Sequence, residues 1–232
     1  MKILGIIPAR AGSSRLPGKN KKRLAGRELI RYAIDAALGS EYVTHWVLST
    51  DDEDIREIGQ EYSQLIVLKR PSAIAGDQAK AITYVEHALS QLREVNFEMV
   101  VIVQPTSPFT WSMDIDGTVN LLKVNKAASA ASVMQIDQTI HPLKLKKMEG
   151  HLLLPFWEAE NGRMAAHEIP QLFSRNGSVY ASLISTINDG LIVADPCLGY
   201  LMPRERSVDI NDPIDFVFAE FLLSQQPNIL NQ

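Results

Sequence analysis

Short runs of apolar residues alternate along the first half of the chain with segments whose apolar residues recur at helical spacing. The runs cover residues 3–7, 46–48, 65–68 and 99–103, and each is mostly continuous rather than alternating. Continuous apolar runs are typical of parallel strands that helices cover on both faces. The pattern therefore predicts four buried strands of one parallel sheet.

Helical segments lie between and after these strands. Apolar residues repeat at helical spacing over 29–38, and segments 79–92 and 113–124 are two more helix candidates. Asp51 and Asp52 stand where an N-cap belongs, before an apolar helical face. The order βαβαβαβα predicts an α/β fold built on a single doubly wound, mostly parallel sheet.

The alternation weakens after about Ser132. Segment 141–174 mixes prolines, glycines, charges and apolar residues, and we interpret it as a small inserted arm or as a loop packed on the same core. Its apolar residues at 152–154, 156 and 157 could cover a site or contact a partner chain. A strand over 179–184 follows. Asp212 and Pro213 then predict the N-cap and first turn of a last helix, so we expect one domain over 1–232.

Composition narrows the class of protein. The chain has 232 residues, of which 46% are hydrophobic, and this is enough for a sizeable core. A net charge of −4 and a pI near 5.8 argue against nucleic-acid binding. The single cysteine excludes an internal disulfide, and no zinc-ligand spacing is present. No apolar run approaches the roughly 18 residues of a membrane span, so we expect a cytoplasmic protein without a membrane partner.

The stretch IIPARAGSSRLPGKN, residues 6–20, follows the first predicted strand and combines glycines, serines and cations. Glycines give a ligand access to backbone N–H groups, and cations supply counter-charge to a phosphate. Five residues separate Gly12 from Gly18, and Asn20 follows Lys19, so the loop does not match the Walker A pattern. The dinucleotide pattern G-x-G-x-x-G is also absent. Because open sheets bind ligands at the carboxyl ends of their strands, we predict a phosphate-binding loop of another type.

Five motifs carry a resemblance to a known family. PARAGSSRLPGKN resembles the signature of the sugar cytidylyltransferases, which make CMP-activated sialic acids and CMP-Kdo. STDDEDI, VQPTSPF, RNGSVYAS and GYLMPRERSVDINDPIDFVFAE follow in the same order as in that family, and VQPTSPF is similar to its acylneuraminate branch. The resemblance covers nearly the whole chain.

The resemblance implies a nucleotidyltransferase that joins CTP to a nonulosonic, sialic-acid-like sugar acid with the help of Mg²⁺. The anomeric hydroxyl would attack the α-phosphorus and pyrophosphate would leave. The resemblance also implies a homodimer, with 141–174 as its dimerisation arm.

The resemblance assigns roles to residues of this chain. Arg10, Lys19 and Asp209 are the implied catalytic residues. The implied nucleotide-binding residues are Ala9, Arg10, Ala11, Gly12, Ser13, Arg15, Lys19 and Asn20. The implied sugar-binding residues are Gln104, Thr106, Ser107, Arg175, Asn176 and Tyr180. The implied metal ligands are Asp209 and Asn211, because Mg²⁺ prefers oxygen ligands.

The chain departs from the family pattern at three places. Ser14 stands where the acylneuraminate pattern often has lysine, although Arg15 follows, as in the Kdo branch. Asn211 stands where Asp-Ile-Asp is usual, and Asp212 would cap the last helix instead. Lys80 and Ala81 stand where serines are common, so the preference for cytosine comes from the family and not from these residues.

Two other interpretations stay open. One is another sugar nucleotidyltransferase, of CMP-Kdo type or using a different nucleotide. The other is a nucleotide-binding homologue without catalysis, which the asparagine at position 211 leaves possible. The histidines show no ligand spacing, and we expect each to be a surface or turn residue: His45, His87, His141, His151 and His167.

Overall fold

The computed structural model describes residues 1–157 and 169–230. The strands are β1 (Ile3–Ala9), β2 (Arg23–Leu24), β3 (Arg27–Glu28), β4 (His45–Thr50), β5 (Leu65–Lys69), β6 (Met99–Val103), β7 (Ser129–Gln135), β8 (Lys146–Glu149), β9 (Leu152–Pro155), β10 (Phe173–Leu183) and β11 (Cys197–Leu201). The helices are α1 (Leu29–Leu38), α2 (Glu53–Gln60), α3 (Ala81–Gln91), α4 (Ser112–Val124), α5 (Ile184–Asn188) and α6 (Pro213–Gln225).

Seven strands form the central sheet, in the order β11-β7-β10-β6-β1-β4-β5. Strands β6, β1, β4 and β5 pair in parallel, and β11 is parallel to β7. Strand β10 lies antiparallel between β6 and β7. The predicted α/β class with a mostly parallel sheet is confirmed.

Helices cover both faces of the sheet, which explains the continuous apolar runs. Ile3 and Ile7 of β1 contribute to a core cluster with α1, α2 and α4. Leu4 and Ile6 of the same strand contribute to a second cluster with α3 and α5. Successive side chains of a strand point to opposite faces, so both sets of β1 residues must be apolar.

A third core cluster lies beside the sheet and joins distant parts of the chain. It contains Leu16 from the loop after β1, Leu24 from β2, and residues of α6. Val208 and Ile210 belong to the same cluster, and both are buried. Burial of these side chains together brings the loop after β1 close to the segment before α6.

The helix caps agree with the sequence. Asp52 caps α2 by accepting hydrogen bonds from the backbone N–H groups of Asp54 and Ile55. Asp212 caps α6, and Asp215 completes a capping box with Pro213 at the first helical position. Carboxylates at helix N-termini also interact favourably with the helix dipole.

The second half of the chain differs more from the prediction. Strands β7 and β11 were not predicted, and β10 begins at Phe173, inside the predicted arm. Strand β7 reads SAASVMQ, and its buried Ser129 and Ser132 use their hydroxyls for hydrogen bonds to Ala194 and Asn176. Small and hydroxyl-bearing residues hide the apolar pattern that identified the other strands.

The segment 141–174 contains a two-stranded antiparallel hairpin, β8–β9. Residues 158–168, with His167, lie outside the described part of the chain. Within the described residues, every helix is too short or too polar to cross a membrane.

Candidate active site

The loop after β1 is anchored at its middle and at its end. Leu16 is buried in the third core cluster. Gly18 has a φ of 64°, the left-handed conformation that glycine adopts without strain, and it leads directly into a short 3₁₀ helix, Lys19–Lys21. Ser14 and Arg15, directly before Leu16, are exposed on this anchored loop.

A cavity of about 280 Å³ opens over this loop at the carboxyl edge of the sheet. Arg10, Ser13, Lys19 and Asn20, four of the residues predicted to bind the nucleotide, line this cavity. The Nη1 atom of Arg10 lies 2.6 Å from Oδ1 of Asp77 across the cavity. Lys21 instead pairs with Asp52 and Asp54 in the first turn of α2, so its charge is directed to that helix.

Three other predicted nucleotide-binding residues occupy different environments. Ala9 is fully buried as the last residue of β1, so its side chain belongs to the core. The backbone N–H of Ala11 donates to Oδ1 of Asp51 at 2.9 Å, so it is occupied within the protein. A Cβ atom added at Gly12 would meet nothing within 4 Å, which leaves open space above the loop.

Asn20 has an unused acceptor at the cavity. Its side chain is 6% exposed, and its Nδ2 donates to the carbonyl oxygen of Arg10 at 3.4 Å. Its Oδ1 is buried and has no hydrogen-bond partner among the described residues. Buried polar atoms are nearly always paired, so this oxygen is an acceptor available to a bound ligand.

Asp209 reaches the site because its neighbours are buried. Val208 and Ile210 on either side pack into the third core cluster, and Asp209 lines a second cavity of about 710 Å³. Lys19 donates from Nζ to the carbonyl oxygen of Ile210 at 2.6 Å. Burial lowers the pKa of Lys19, and the nearby carboxylate of Asp209 opposes that shift. The loop after β1 and the segment before α6 therefore form one polar cluster.

Arg15 and Asn211 also meet across this junction. Nη2 of Arg15 donates to Oδ1 of Asn211 at 3.1 Å, and Nδ2 of Asn211 donates to Oδ2 of Asp209 at 2.7 Å. The predicted metal-ligand oxygen of Asn211 is therefore engaged by Arg15. Asp215 accepts from the backbone N–H groups of Asn211 and Asp212, in agreement with its role in the α6 cap.

The second cavity contains most of the predicted sugar-binding residues. Arg175, Asn176, Tyr180 and Gln104 line it together with Asp209. Burial raises the pKa of Tyr180, although Arg175 nearby opposes the shift, so the Tyr180 hydroxyl is favoured in its protonated, hydrogen-bond-donating form.

Asn176 lines this cavity but uses its amide inside the protein. Its Oδ1 accepts from the Ser132 hydroxyl at 2.6 Å, and its Nδ2 donates to Ser207 Oγ at 2.9 Å. Gly177 follows with a φ of 79°, and a Cβ atom there would lie 3.3 Å from Oδ2 of Asp209. The Asn-Gly pair therefore bends β10 and leaves room for the Asp209 carboxylate.

In the turn after β6, some residues line the cavities and others are buried in the core. Gln104 lines both cavities, and Thr106 lines the first. The carbonyl oxygen of Thr106 accepts from the backbone N–H of Ile210 at 2.8 Å, which fixes the segment that carries Asp209. Ser107 is 1% exposed and does not line either cavity, so its side chain lies in the core.

Three polar residues of the first cavity were missed by sequence reasoning: Arg70, Asp77 and Tyr84. Arg70, which follows β5, is 4% exposed and donates to the backbone carbonyl oxygen of Ser49 at 2.7 Å. Its guanidinium lies 4.9 Å from the ring centroid of Tyr84. Burial lowers the pKa of Arg70 and raises that of Tyr84. The signal for Arg70 was a pair of cations, Lys69 and Arg70, at the carboxyl end of an apolar strand.

The described histidines belong to no cluster of metal-ligating side chains. Among the described residues there is no group of three or more His, Cys, Asp or Glu side chains that could hold a metal ion. His141 is 3% exposed and accepts from the backbone N–H of Leu143, so it is a turn residue, which is one of the two expectations for the histidines. His167 lies outside the described residues.

Solved structures share this architecture. The CMP:2-keto-3-deoxy-manno-octonic acid synthetase complexed with CTP aligns with a TM-score of 0.70 over 97% of this chain and 100% of the other, at 17% identity. The 4-diphosphocytidyl-2C-methyl-D-erythritol synthase of Anaerococcus prevotii aligns with a TM-score of 0.64 over 96% of each chain, at 13% identity. At these identities the likeness shows the fold, which is that of known nucleotidyltransferases.

Sequence comparison identifies the family. The family model described as cytidylyltransferase matches residues 4–153. The chain is 34% identical to the CMP-N,N'-diacetyllegionaminic acid synthase of Legionella pneumophila, over 96% of this chain and 97% of that protein. It is 37% identical to the pseudaminic acid cytidylyltransferase of Campylobacter jejuni, over 96% of each. It is 32% identical to the N-acylneuraminate cytidylyltransferase of Escherichia coli, over 94% of this chain and 51% of that protein. The chain belongs to the cytidylyltransferase family and is a nucleotidyltransferase.

Proposed function

We propose that this enzyme joins CTP to a nonulosonic acid and releases pyrophosphate. The observation that carries the proposal is a pair of adjoining cavities that share Ala81, Tyr84 and Gln104. One cavity is lined by cations, as a triphosphate requires, and the other presents an arginine, an amide and a tyrosine, as a polar sugar acid requires. Their common wall is where the two substrates would meet.

The first cavity suits a nucleotide. Arg10 and Lys19 supply positive charge at the carboxyl edge of the sheet, where open α/β sheets bind ligands. Oδ1 of Asn20 offers an acceptor to a ligand hydroxyl or amino group. Arg10 would exchange Asp77 for a phosphate, since both are anionic partners for a guanidinium.

The second cavity suits the sugar acid. Arg175 offers a guanidinium to the carboxylate of the sugar, and a planar fork can bind a carboxylate through two hydrogen bonds. Gln104, which reaches both cavities, would hold the sugar beside the α-phosphate. The anomeric hydroxyl then releases its proton to solvent, and its oxygen forms a bond to the α-phosphorus as the bond from phosphorus to the pyrophosphate oxygen breaks. Positioning and charge stabilisation by these side chains lower the barrier.

We also propose Mg²⁺ as the cofactor. Asp209 offers a carboxylate at the boundary between the loop and the second cavity, and Mg²⁺ commonly binds one or two carboxylates together with substrate phosphates. The oxygen of Asn211 already accepts from Arg15, so the fit is to one protein carboxylate rather than two. When bound, Mg²⁺ would neutralise charge on the phosphates.

The relatives support the substrate class. Their names specify legionaminic, pseudaminic and acylneuraminic acids, which share the nonulosonic acid skeleton. A structural neighbour was solved with CTP. CTP is a nucleotide of the cell interior, so we place the reaction in the cytoplasm.

A substrate panel tests the function. Pyrophosphate release is measured with CTP, UTP, GTP or ATP, each combined with N-acetylneuraminic, legionaminic, pseudaminic or Kdo acid. We expect turnover with CTP and at least one nonulosonic acid other than Kdo, and at least about tenfold less with the other nucleotides. Turnover with another nucleotide and not with CTP, or with Kdo alone, would contradict the proposal.

We propose, finally, that the protein is a homodimer that pairs through the hairpin β8–β9. Met148, Leu152, Leu153 and the adjoining Phe156 and Trp157 are between 55% and 74% exposed. Contiguous exposed apolar residues are typical of interaction sites. The occupant we propose is a second copy of this chain, because the family resemblance implies a dimer.

Light scattering after size exclusion tests the dimer. The wild-type protein should have twice the monomer mass, and Leu153→Glu should shift it toward the monomer because a charge would be buried in the interface. His151→Glu, in the exposed turn of the same hairpin, is the matched control and should remain dimeric. A monomeric wild type would refute this assignment.

A further inference from the structure

The side chain of Asn211 lies between a cation and a carboxylate. Its Oδ1 accepts from Arg15 at 3.1 Å, and its Nδ2 donates to Asp209 at 2.7 Å. The opposite orientation of the amide would place its NH₂ group against the guanidinium and its oxygen against the carboxylate. The neighbours therefore determine the orientation of the amide.

We infer that Asn211 is a positioning residue that links Arg15 to Asp209 and holds the Asp209 carboxylate in place before any cation binds. The inference rests on the proposed function, because it concerns the carboxylate that we assign to catalysis. It goes further by giving the asparagine a role that differs from metal ligation.

The argument follows from comparing the amide with a carboxylate at the same position. An aspartate at 211 would place two negative groups within hydrogen-bond distance of each other, and their repulsion would favour a cation or a proton between them even with Arg15 in contact with residue 211. The amide donates to Asp209 instead, so the pair is stable without an added ion. The cost is one negative charge fewer for an incoming cation.

The surrounding contacts keep Asn211 in this role. Its backbone N–H donates to Oδ2 of Asp215 at 2.8 Å, and the carbonyl oxygen of the preceding Ile210 accepts from Lys19. Arg15 comes from the same loop and approaches from the other side. Ser14 carries no charge. The next residue in the chain, Arg15, is a cation, and its side chain contacts Asn211. The structure thus links Arg15 and Asn211, two positions at or beside departures from the family pattern.

Asn211→Asp tests the inference without substrates. Binding of Mn²⁺ is followed by the electron paramagnetic resonance signal of the free ion, and melting is followed with and without Mg²⁺. We expect Asn211→Asp to bind Mn²⁺ at least about tenfold more tightly than wild type, because divalent cations bind more tightly as ligand charge increases. We also expect it to melt at a lower temperature than wild type without metal and to recover with metal. Asn188→Asp adds the same charge at an exposed site at the end of α5 and should change neither result.

Asn211→Leu provides the second variant, with similar size and no hydrogen-bonding atoms. We expect its kcat to fall at least about tenfold while its KM for CTP stays within about twofold, since positioning of Asp209 affects the transition state rather than nucleotide binding. Equal Mn²⁺ affinity in wild type and Asn211→Asp, or an unchanged kcat in Asn211→Leu, would overturn the inference. Turnover of the wild-type protein is measured separately, so failure of the proposed function would be recognised by itself.

Discussion

Asp209→Asn is expected to lower kcat for pyrophosphate release at least about a hundredfold at saturating substrates, the effect of removing a group that stabilises charge in a transition state. Asparagine has nearly the same shape as aspartate, and its oxygen can still accept from Asn211. Val208 and Ile210 stay buried on either side. The variant therefore removes the negative charge while the local fold is kept.

Asp189→Asn serves as the matched control, because Asp189 is exposed at the end of α5. Its turnover should equal that of the wild type, and both variants should melt close to the wild-type temperature. If Asp209→Asn kept more than about a tenth of the wild-type kcat, Asp209 would not be a catalytic group. A large loss of stability in that variant would show that its effect came from folding.

Arg206→Met is expected to lower the free energy of unfolding by about 3–5 kcal/mol, because it leaves a buried carboxylate without its partner. Asp114 is fully buried, and it accepts from both terminal nitrogens of Arg206. The guanidinium also lies 4.1 Å from the ring centroid of Trp111. Urea unfolding measures the change.

Arg204→Met is the control, because Arg204 and Arg206 belong to the same short 3₁₀ helix, Arg204–Arg206. Arg204 pairs with Asp137 at 3.0 Å, but its side chain is 73% exposed, so its removal should cost less than about 1 kcal/mol. Combining Arg206→Met with Asp114→Leu should restore part of the lost stability, since an apolar pair avoids the unpaired charge. Equal effects of Arg204→Met and Arg206→Met would show that the buried pair does not stabilise the segment before Asp209.

The buried pair also explains how the site is supported. Arg206 stands three residues before Asp209, and Asp114 lies in the first turn of α4. The pair therefore fixes the segment that carries Asp209 to the sheet-covering helices. Measured activity of Arg206→Met at a temperature where it is folded would report how far the site depends on this anchor.

Much of the sheet could be predicted because its strands are uniformly apolar. Runs such as 3–7 and 99–103 are long and continuous, and the caps Asp52 and Asp212 follow local rules that depend on a few neighbouring residues. Strand β11 was missed because it lies at the edge of the sheet and has no buried residue, and strand β7 was missed although it pairs with both β10 and β11. The small residues of β7 are not apolar enough to predict a strand, and their serine hydroxyls become acceptable only when distant carbonyl groups accept from them.

The candidate site could likewise be predicted only in part from the sequence. The sequence alone predicted a phosphate-binding loop from glycines, serines and cations directly after a strand, and the order of motifs identified the family. It also located Asp209 as a candidate. Which predicted residues actually face the cavities was decided by the tertiary structure.

Ala9 and Ser107 are buried, Ala11 uses its amide for Asp51, and Arg70 enters the first cavity without having been predicted. The role of Asn211 likewise required the fold, because Arg15 is 196 residues away in sequence. Burial of Leu16, Val208 and Ile210 in one cluster brings these segments together. Local sequence determined which chemical groups this protein carries, whereas long-range packing decided which of them meet.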